Sequence, residues 1–393
     1  MRIELCIKGL KAEKTKMNRV SKHIIYEIWK FRINKFLNKK INAIYKNLKR
    51  KGLLNYDRNG LKEHLDYWTQ HTYFSKSRWY KVYASITGIN SKHFIPENIY
   101  FTDIEPRLNN FVFVTSYADK NMYNKLYPPE LIPRAIFRNI EGVFYDHDYK
   151  DVHFESDGVL KRVNPYEKLV VKKTVKSGGG QDVNVFEKKE GRFIDSNNNI
   201  LSMEHLAQRY GRNYIVQEYI EQHAFFKKFN QTSVNTVRVF TYRSVVSEKI
   251  IPLQSVLRMG KKGAVVDNLS SGGLSRGIDK TGKLNDFAVD KYGGVHKDYN
   301  SVIFKDSDIV PHFKEIIECA IEIAKMNHYT RVLALDFCVD INGEVKLLEI
   351  NNSNNGINFH QMNNGPLFGE YTEEIATYCA HNPKTLCSGF YLE

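Results

Sequence analysis

The stretch that most constrains this chain is Leu333–Asn352, LALDFCVDINGEVKLLEINN. It holds two β-prone runs, Leu333–Asp340 and Glu344–Asn351, split by Asn342-Gly343. Asn-Gly between such runs signals a hairpin, because a type I′ turn needs positive φ at both central residues. With those two residues at the turn centre, Ile341 pairs with Glu344, Asp340 with Val345, and Asp336 falls opposite Glu349. Alternation then puts Asn351 on the face of both carboxylates. Opposed side chains lie about 4.5–5.5 Å apart at Cβ, and like charges there repel. A cation would remove that penalty, and two carboxylates with an amide oxygen are hard ligands suited to Mg²⁺ bridged to a phosphate. A solvated hairpin face is the plainer alternative, and a three-residue loop would break the register.

A second informative stretch is Glu167–Glu187. Leu169–Lys172 is a short β run, Thr174–Asp182 a polar loop through Gly178, Gly179 and Gly180, and Val183–Phe186 resumes strand character. Consecutive glycines let backbone N–H groups approach and cradle phosphate oxygens. Lys172, Lys173 and Lys176 add positive charge. No G-K-[ST] follows, so this is not a Walker loop, and a flexible turn is the other reading. Elsewhere, Leu61–Thr69, Trp79–Gly88, Met203–Tyr210, Glu315–Met326 and Glu373–Ala380 read as helices. Phe111–Thr115, Tyr214–Ile220 and Val234–Val246 read as strands, the last with Arg238 in its middle.

Composition bounds the class. A chain of 393 residues with 42% hydrophobic and 13% aromatic content can bury two or three sizeable cores. Five cysteines without C-x-x-C spacing exclude a disulfide scaffold or a zinc site and point to a reducing, cytoplasmic setting. No run approaches the roughly 20 apolar residues of a membrane span. The net charge of +14 invites anionic partners, but it is spread along the chain with no nucleic-acid module, so nucleic acid is not expected. Residues 17–51 are the exception to that even spread, with eleven Lys or Arg against one acid, Glu27. Ile24, Ile28, Phe31, Ile41, Ile44 and Leu48 recur there near helical spacing. Such a helix can lie on an anionic membrane at the inner face or dock on a membrane-associated partner; packing on its own protein is the alternative.

In order, the chain offers Asp119-Lys120, Val170-Val171-Lys172 before the glycine loop, Gln217-Glu218-Tyr219-Ile220, and a strand bearing Arg238. Arg258, Asp267-Asn268 with Gly272-Gly273, and Asp336 with Glu349-Ile350-Asn351 follow. This succession, from about Val112 to Gly365, resembles the ATP-grasp superfamily. The segments DKNMY, QEYIEQH, SVNTVRVFTYR and VVDNLSSGGL look like its sugar-transfer-associated branch, found with capsule and surface-polysaccharide genes.

The resemblance implies an α+β ATP-grasp fold, two subdomains clasping ATP. It divides the chain into a basic helical segment (1–51), a leading region (52–130), a small subdomain with the glycine loop (131–222) and a C-terminal subdomain with the metal site (223–393). By resemblance, Lys120 and Lys172 reach ATP phosphates and Gly178, Gly179 and Gly180 close over them. Gln217, Glu218, Tyr219 and Ile220 form the adenine hinge, with Glu221 or His223 near ribose. Arg238 and Arg258 match the cations at the γ-phosphate and a substrate carboxylate, and Asn268 belongs to the polar loop of glutamate-ligating members. Asp336, Glu349 and Asn351 match a site for two Mg²⁺ ions, and the asparagine-rich loop after them matches a substrate loop. Lys173 stands where many members have proline, which leaves open whether Lys172 or Lys173 faces the nucleotide. The implied chemistry is ATP-dependent amide formation between a small-molecule carboxylate and an amine, with sugar-linked substrates expected; a kinase acting on a hydroxyl acceptor is the rival reading.

Overall fold

The computed structural model describes residues 19–154, 158–175, 182–264, 267, 269, 272–305 and 308–382. Helix α1, Arg19–Arg50, contains no Gly or Pro to interrupt it. It ends where Gly52 takes φ +67° and the Gly52 and Leu53 amides return to the Lys49 and Leu48 carbonyls, the capping pattern glycine favours. Helix α2, Arg58–Gln70, starts where the Asp57 carboxylate accepts from the Gly60 amide at 2.6 Å. Helix α3, Ser77–Thr87, stops at Gly88, φ +71°.

The expected strand at Phe111–Thr115 does not form. The amides of Phe113 and Val114 turn back to the Asn110 carbonyl, and a one-turn helix, Thr115–Ala118, follows. The Val114 carbonyl is taken by Asn352 Nδ2 at 2.6 Å, so this β-prone run caps the loop after the hairpin and meets no sheet edge.

Strands β1 (Ala135–Ile140), β2 (Val143–Tyr145), β3 (Lys168–Lys173), β4 (Val183–Lys189), β5 (Arg192–Asp195) and β6 (Asn213–Glu218) form one sheet in the order β2-β1-β6-β3-β4-β5. Helix α4, Met203–Tyr210, capped by Ser202, covers one face through Leu206 and Tyr210. A second, seven-stranded sheet holds β7 (Thr236–Arg243), β8 (Ile250–Met259), β9 (Leu274–Ile278), β10 (Leu284–Val289) and β11 (Val295–His296), then, after a small β12–β13 pair (Asp298–Tyr299, Val302–Ile303), β14 (Val332–Val339) and β15 (Val345–Asn351). Its order is β11-β10-β9-β8-β7-β14-β15. The strand pairings of both sheets are antiparallel.

Strand β14 is buried at every position because both edges are paired and both faces are covered. Leu333, Leu335, Phe337 and Val339 join a core with helix α5, Phe313–Met326. On the other face Val332 and Ala334 pack with Tyr67, Trp68, Ile99 and Tyr100 of the leading region. Further along that same face stand Asp336 and Cys338. Helices α6 (Asn358–Asn364) and α7 (Thr372–His381) complete the chain described.

The hairpin turn is not the expected two-residue one. Asp340 pairs with Glu344, leaving Ile341, Asn342 and Gly343 as a three-residue loop in which only Gly343, φ +86°, is left-handed. The Asp340 carboxylate accepts from the Asn342 and Glu344 amides at 2.9 Å each and fixes that loop. Val339 then faces Val345, one residue out of the expected register. A bulge between Phe337↔Leu347 and Asp336↔Glu349 inserts Leu348 and restores it. The expected carboxylate pair is therefore present, by two offsetting irregularities.

Candidate functional site

Arg238, Asp336 and Glu349 form one row of directly opposed residues across β7, β14 and β15. The repulsion expected between the two carboxylates is met by protein cations. Arg238 Nε and Nη2 reach the two oxygens of Asp336 at 2.6 Å each, and Arg258 Nη1 adds a third contact at 2.7 Å. Burial alone would raise the Asp336 carboxyl, but the two guanidiniums outweigh it and hold the group below its ordinary value. Arg258 also reaches Asp267 at 3.3 Å. Asp267 in turn accepts from the Thr236 hydroxyl, and burial raises its carboxyl above the ordinary value.

Glu349 sits in a different setting. Its carboxylate, 26% exposed, is bound by Lys120 Nζ at 2.9 Å. Lys172 of β3 is buried beside this pair; burial and the Lys120 charge push its ammonium down to about 8, with Glu349 opposing. Lys173, its neighbour on the opposite face, pairs with Asp182 at 2.9 Å, and Asp182 also binds Arg209 at 2.8 Å. Of the two lysines, Lys172 is the one turned toward Lys120 and Glu349. Gly178, Gly179 and Gly180, between Lys173 and Asp182, lie outside the described residues, as does Asn268.

Gln217 and Glu218 close strand β6: Gln217 Nε2 donates to the Pro133 carbonyl at 3.0 Å, and the Glu218 carboxylate accepts from the Arg134 amide at 2.8 Å. The backbone of Tyr219 and Ile220 runs on past the ladder. It is tied to the hairpin just beyond, where the Ile341 amide meets the Glu221 carbonyl and the His223 amide meets the Val339 carbonyl. His223 Nδ1 accepts from the Phe225 amide at 3.1 Å and caps the short helix Ala224–Lys227, so that nitrogen is engaged in the fold. Glu221 is paired with Lys227.

Among the described residues no three His, Cys, Asp or Glu side chains come together as a metal set. The candidate set is two carboxylates and an amide. Its ligating atoms are the carboxylate oxygens and the Asn351 amide oxygen, and the Glu349 side chain is 26% exposed. These donors fit a hard divalent ion that draws its remaining ligands from phosphate and water. Asp336 would share its two oxygens between such an ion and its three guanidinium contacts.

Three residues near the site are assigned no role by the sequence motifs. Asp267 was visible as the acid directly before the polar Asn268 loop. His360 of α6 is buried edge-on to Phe240 at 4.5 Å with neither ring nitrogen partnered; burial and Arg238 push it down to about 3, so it is neutral. Glu105 has no local signal, and only the fold brings it to the loop after Asn351, where it accepts from the Asn354 and Asn355 amides at 3.0 Å each.

The family model described as sugar-transfer associated ATP-grasp matches residues 102–376. No curated protein matches the chain. Among solved structures, the ATP-grasp ligase PsnB complexed with minimal precursor is 12% identical, covering 69% of this chain and 64% of its own, TM-score 0.36. The D-alanine-D-alanine ligase from Coxiella burnetii is 13% identical over 68% and 58%, TM-score 0.35. The N5-carboxyaminoimidazole synthetase from Staphylococcus aureus, complexed with ADP, is 9% identical over 65% and 51%, TM-score 0.37. The chain thus spans less than two thirds of the length of each of these three.

Proposed function

The chain belongs to the sugar-transfer associated ATP-grasp family and has its α+β fold, and on that premise we propose that it joins a carboxylate to an amine through an acyl phosphate at the expense of ATP. The observation that carries this reading is the division of the site's cations into two sets. Lys120 and Lys172 stand at the accessible carboxylate, Glu349, while Arg238 and Arg258 converge on the buried one, Asp336. The first set suits the nucleotide phosphates and the second suits the anion being phosphorylated. In this reading residues 131–222 and 223–393 are the two subdomains that clasp ATP, with adenine against the backbone of Tyr219 and Ile220 beyond the end of β6.

Mg²⁺ bound by Glu349, Asn351 and Asp336 would supply charge neutralisation at the transferring phosphoryl group. The protein's own residues orient and exclude water. An oxygen of the carboxylate substrate, held by the arginines, attacks the γ-phosphorus as its bond to the ADP oxygen breaks. The amine nitrogen then attacks the acyl carbon, the carbon–oxygen bond to phosphate breaks, and the amine loses a proton. No side-chain nucleophile is required, and Cys338 is unsuited to be one, since burial pushes its thiol up to about 12. In this reading the substrates are a sugar-linked acid and an amino compound, used in the making of a capsule or surface polysaccharide; the family's sugar-transfer association supports the link to sugar.

Hydroxylamine tests the chemistry. With Mg·ATP and the right acid it should intercept the acyl phosphate as a hydroxamate, found by screening sugar acids and amino acids for ADP release and mass shift. Stable phosphate on a hydroxyl, with no hydroxamate from any acid, would assign the site to a kinase.

A further inference from the structure

Helix α1 is built as two unlike halves. Toward its C-terminus Leu37, Ile41, Ile44 and Leu48 are buried among Trp79, Tyr80 and Tyr83, which fixes the helix to the body of the protein. Tyr26 and Lys30 add ties to the Thr102 carbonyl and Asp103. On the outer face Ile24, Ile28 and Phe31 are 53%, 49% and 67% exposed. They fall at i, i+4 and i+7, one stripe of a helix, and the stripe continues into Lys35, Lys39, Lys46 and Lys49. Arg32 flanks it, and all five bases are exposed. Among the described residues none of these five forms an ion pair, and the stripe is bordered by a single acid, Glu27. No helix among the described residues is long and apolar enough to cross a membrane.

We propose that this outer face of α1 docks the protein on an anionic lipid surface, with Ile24, Ile28 and Phe31 entering the headgroup boundary and the lysine row lying along the phosphates. Two observations favour lipid over a protein partner or a second copy of this chain. The apolar part of the stripe is a narrow tip of three side chains, matched to shallow insertion; Phe36, exposed beside the stripe, lies under Lys40. The charge behind it is of one sign over four helical turns; facing a second copy it would meet its own kind, whereas a negative leaflet attracts each lysine. The expected helix at residues 17–51 thus serves two ends: one face is core, as the packed reading holds, and the opposite face is left for the surface.

Co-sedimentation of the full chain with vesicles tests this. Wild type should bind vesicles containing phosphatidylglycerol, release them at high salt, and ignore pure phosphatidylcholine. Phe31→Asp, and separately Lys35→Glu with Lys39→Glu, should weaken binding by about tenfold or more, with the melting temperature unchanged because these side chains are exposed. No binding by wild type, or equal binding by both variants, would overturn the proposal. So would a dimer that Phe31→Asp splits without any vesicle binding, since that would give the face to a second copy.

Discussion

Asp336 and Glu349 are opposed on adjacent strands yet live in different surroundings, and that difference separates stability from activity. Asp336, 3% exposed at its side chain, pairs with two guanidiniums, one of them shared with Asp267; Glu349 is 26% exposed and holds one lysine. Removing one partner of a buried ion pair leaves uncompensated charge, which costs about 3–5 kcal/mol. Asp336→Asn should therefore lower stability by that order in urea unfolding as well as abolish ATP turnover. Glu349→Gln removes the anion from the buried Lys120 but leaves that site partly open to water, so it should cost less stability than Asp336→Asn and lose Mg²⁺-dependent nucleotide binding, read by calorimetry. An Asp336→Asn variant as stable as wild type would mean that the arginines need no anion there. Lys172 gives a pH signature. Its folded value, about 8, is below the ordinary value of 10.5, so the unfolded chain binds more protons between them and stability rises with pH through that window. Nucleotide phosphates would draw the ammonium back to its charged form. Binding of Mg·ADP about one pH unit above that folded value should then take up a proton, measured as a dependence of the binding heat on buffer ionisation enthalpy, and Lys172→Met should erase it.

At the scale of elements, the loop between β15 and α6 is held from outside the sheet. Glu105 accepts from the Asn354 and Asn355 amides, and Glu97 accepts from the Ile357 and Asn358 amides and from Asn358 Nδ2. Both carboxyls are buried, and burial pushes that of Glu105 up to about 8 against the pull of its amide donors. The loop follows Asn351 directly, so the leading region sets the geometry of the last candidate ligand. Glu105→Ala strands the buried Asn355 N–H, worth about 1–3 kcal/mol, and releases the part-buried Asn354 N–H to water. Amide hydrogen exchange over residues 352–358 should accelerate in that variant more than exchange in β14. Uniform acceleration throughout would mean that Glu105 supports the whole core and not this loop.

At the scale of the molecule, the leading region and the second sheet share one interior. Tyr67, Trp68, Ile99 and Tyr100 pack with Phe240, Tyr242, Val332 and Ala334, while Trp79 and Tyr83 pack with Val289, Met362 and the inner face of α1. The single face of β14 that begins in this core ends in the charges of the candidate site. Structural support and the candidate site therefore share one strand, and the glutamates that hold the loop after β15 come from the same helical layer.

Much of this was legible in the sequence because it depends on local pattern. Alternation placed Asp336, Glu349 and Asn351 on one face, helical spacing located α2, α3, α4 and α5, and the ordered motifs carried the family. Other features required the folded chain. The three-residue turn and the Leu348 bulge cancel each other, and only cross-strand pairing reveals a bulge. Phe111–Val114 has strand composition but no edge to join, since its Val114 carbonyl is claimed by a residue 238 positions away. Which of Lys172 and Lys173 faces Glu349 depends on where β3 lies against β15, and the partners of Asp336 depend on β7 and β8 lying beside it. Glu97 and Glu105 look like ordinary helix carboxylates until the fold buries them against backbone amides from the far end of the chain. Sequence determines what each segment can bury or bind; packing between distant segments decides which of those capacities is used.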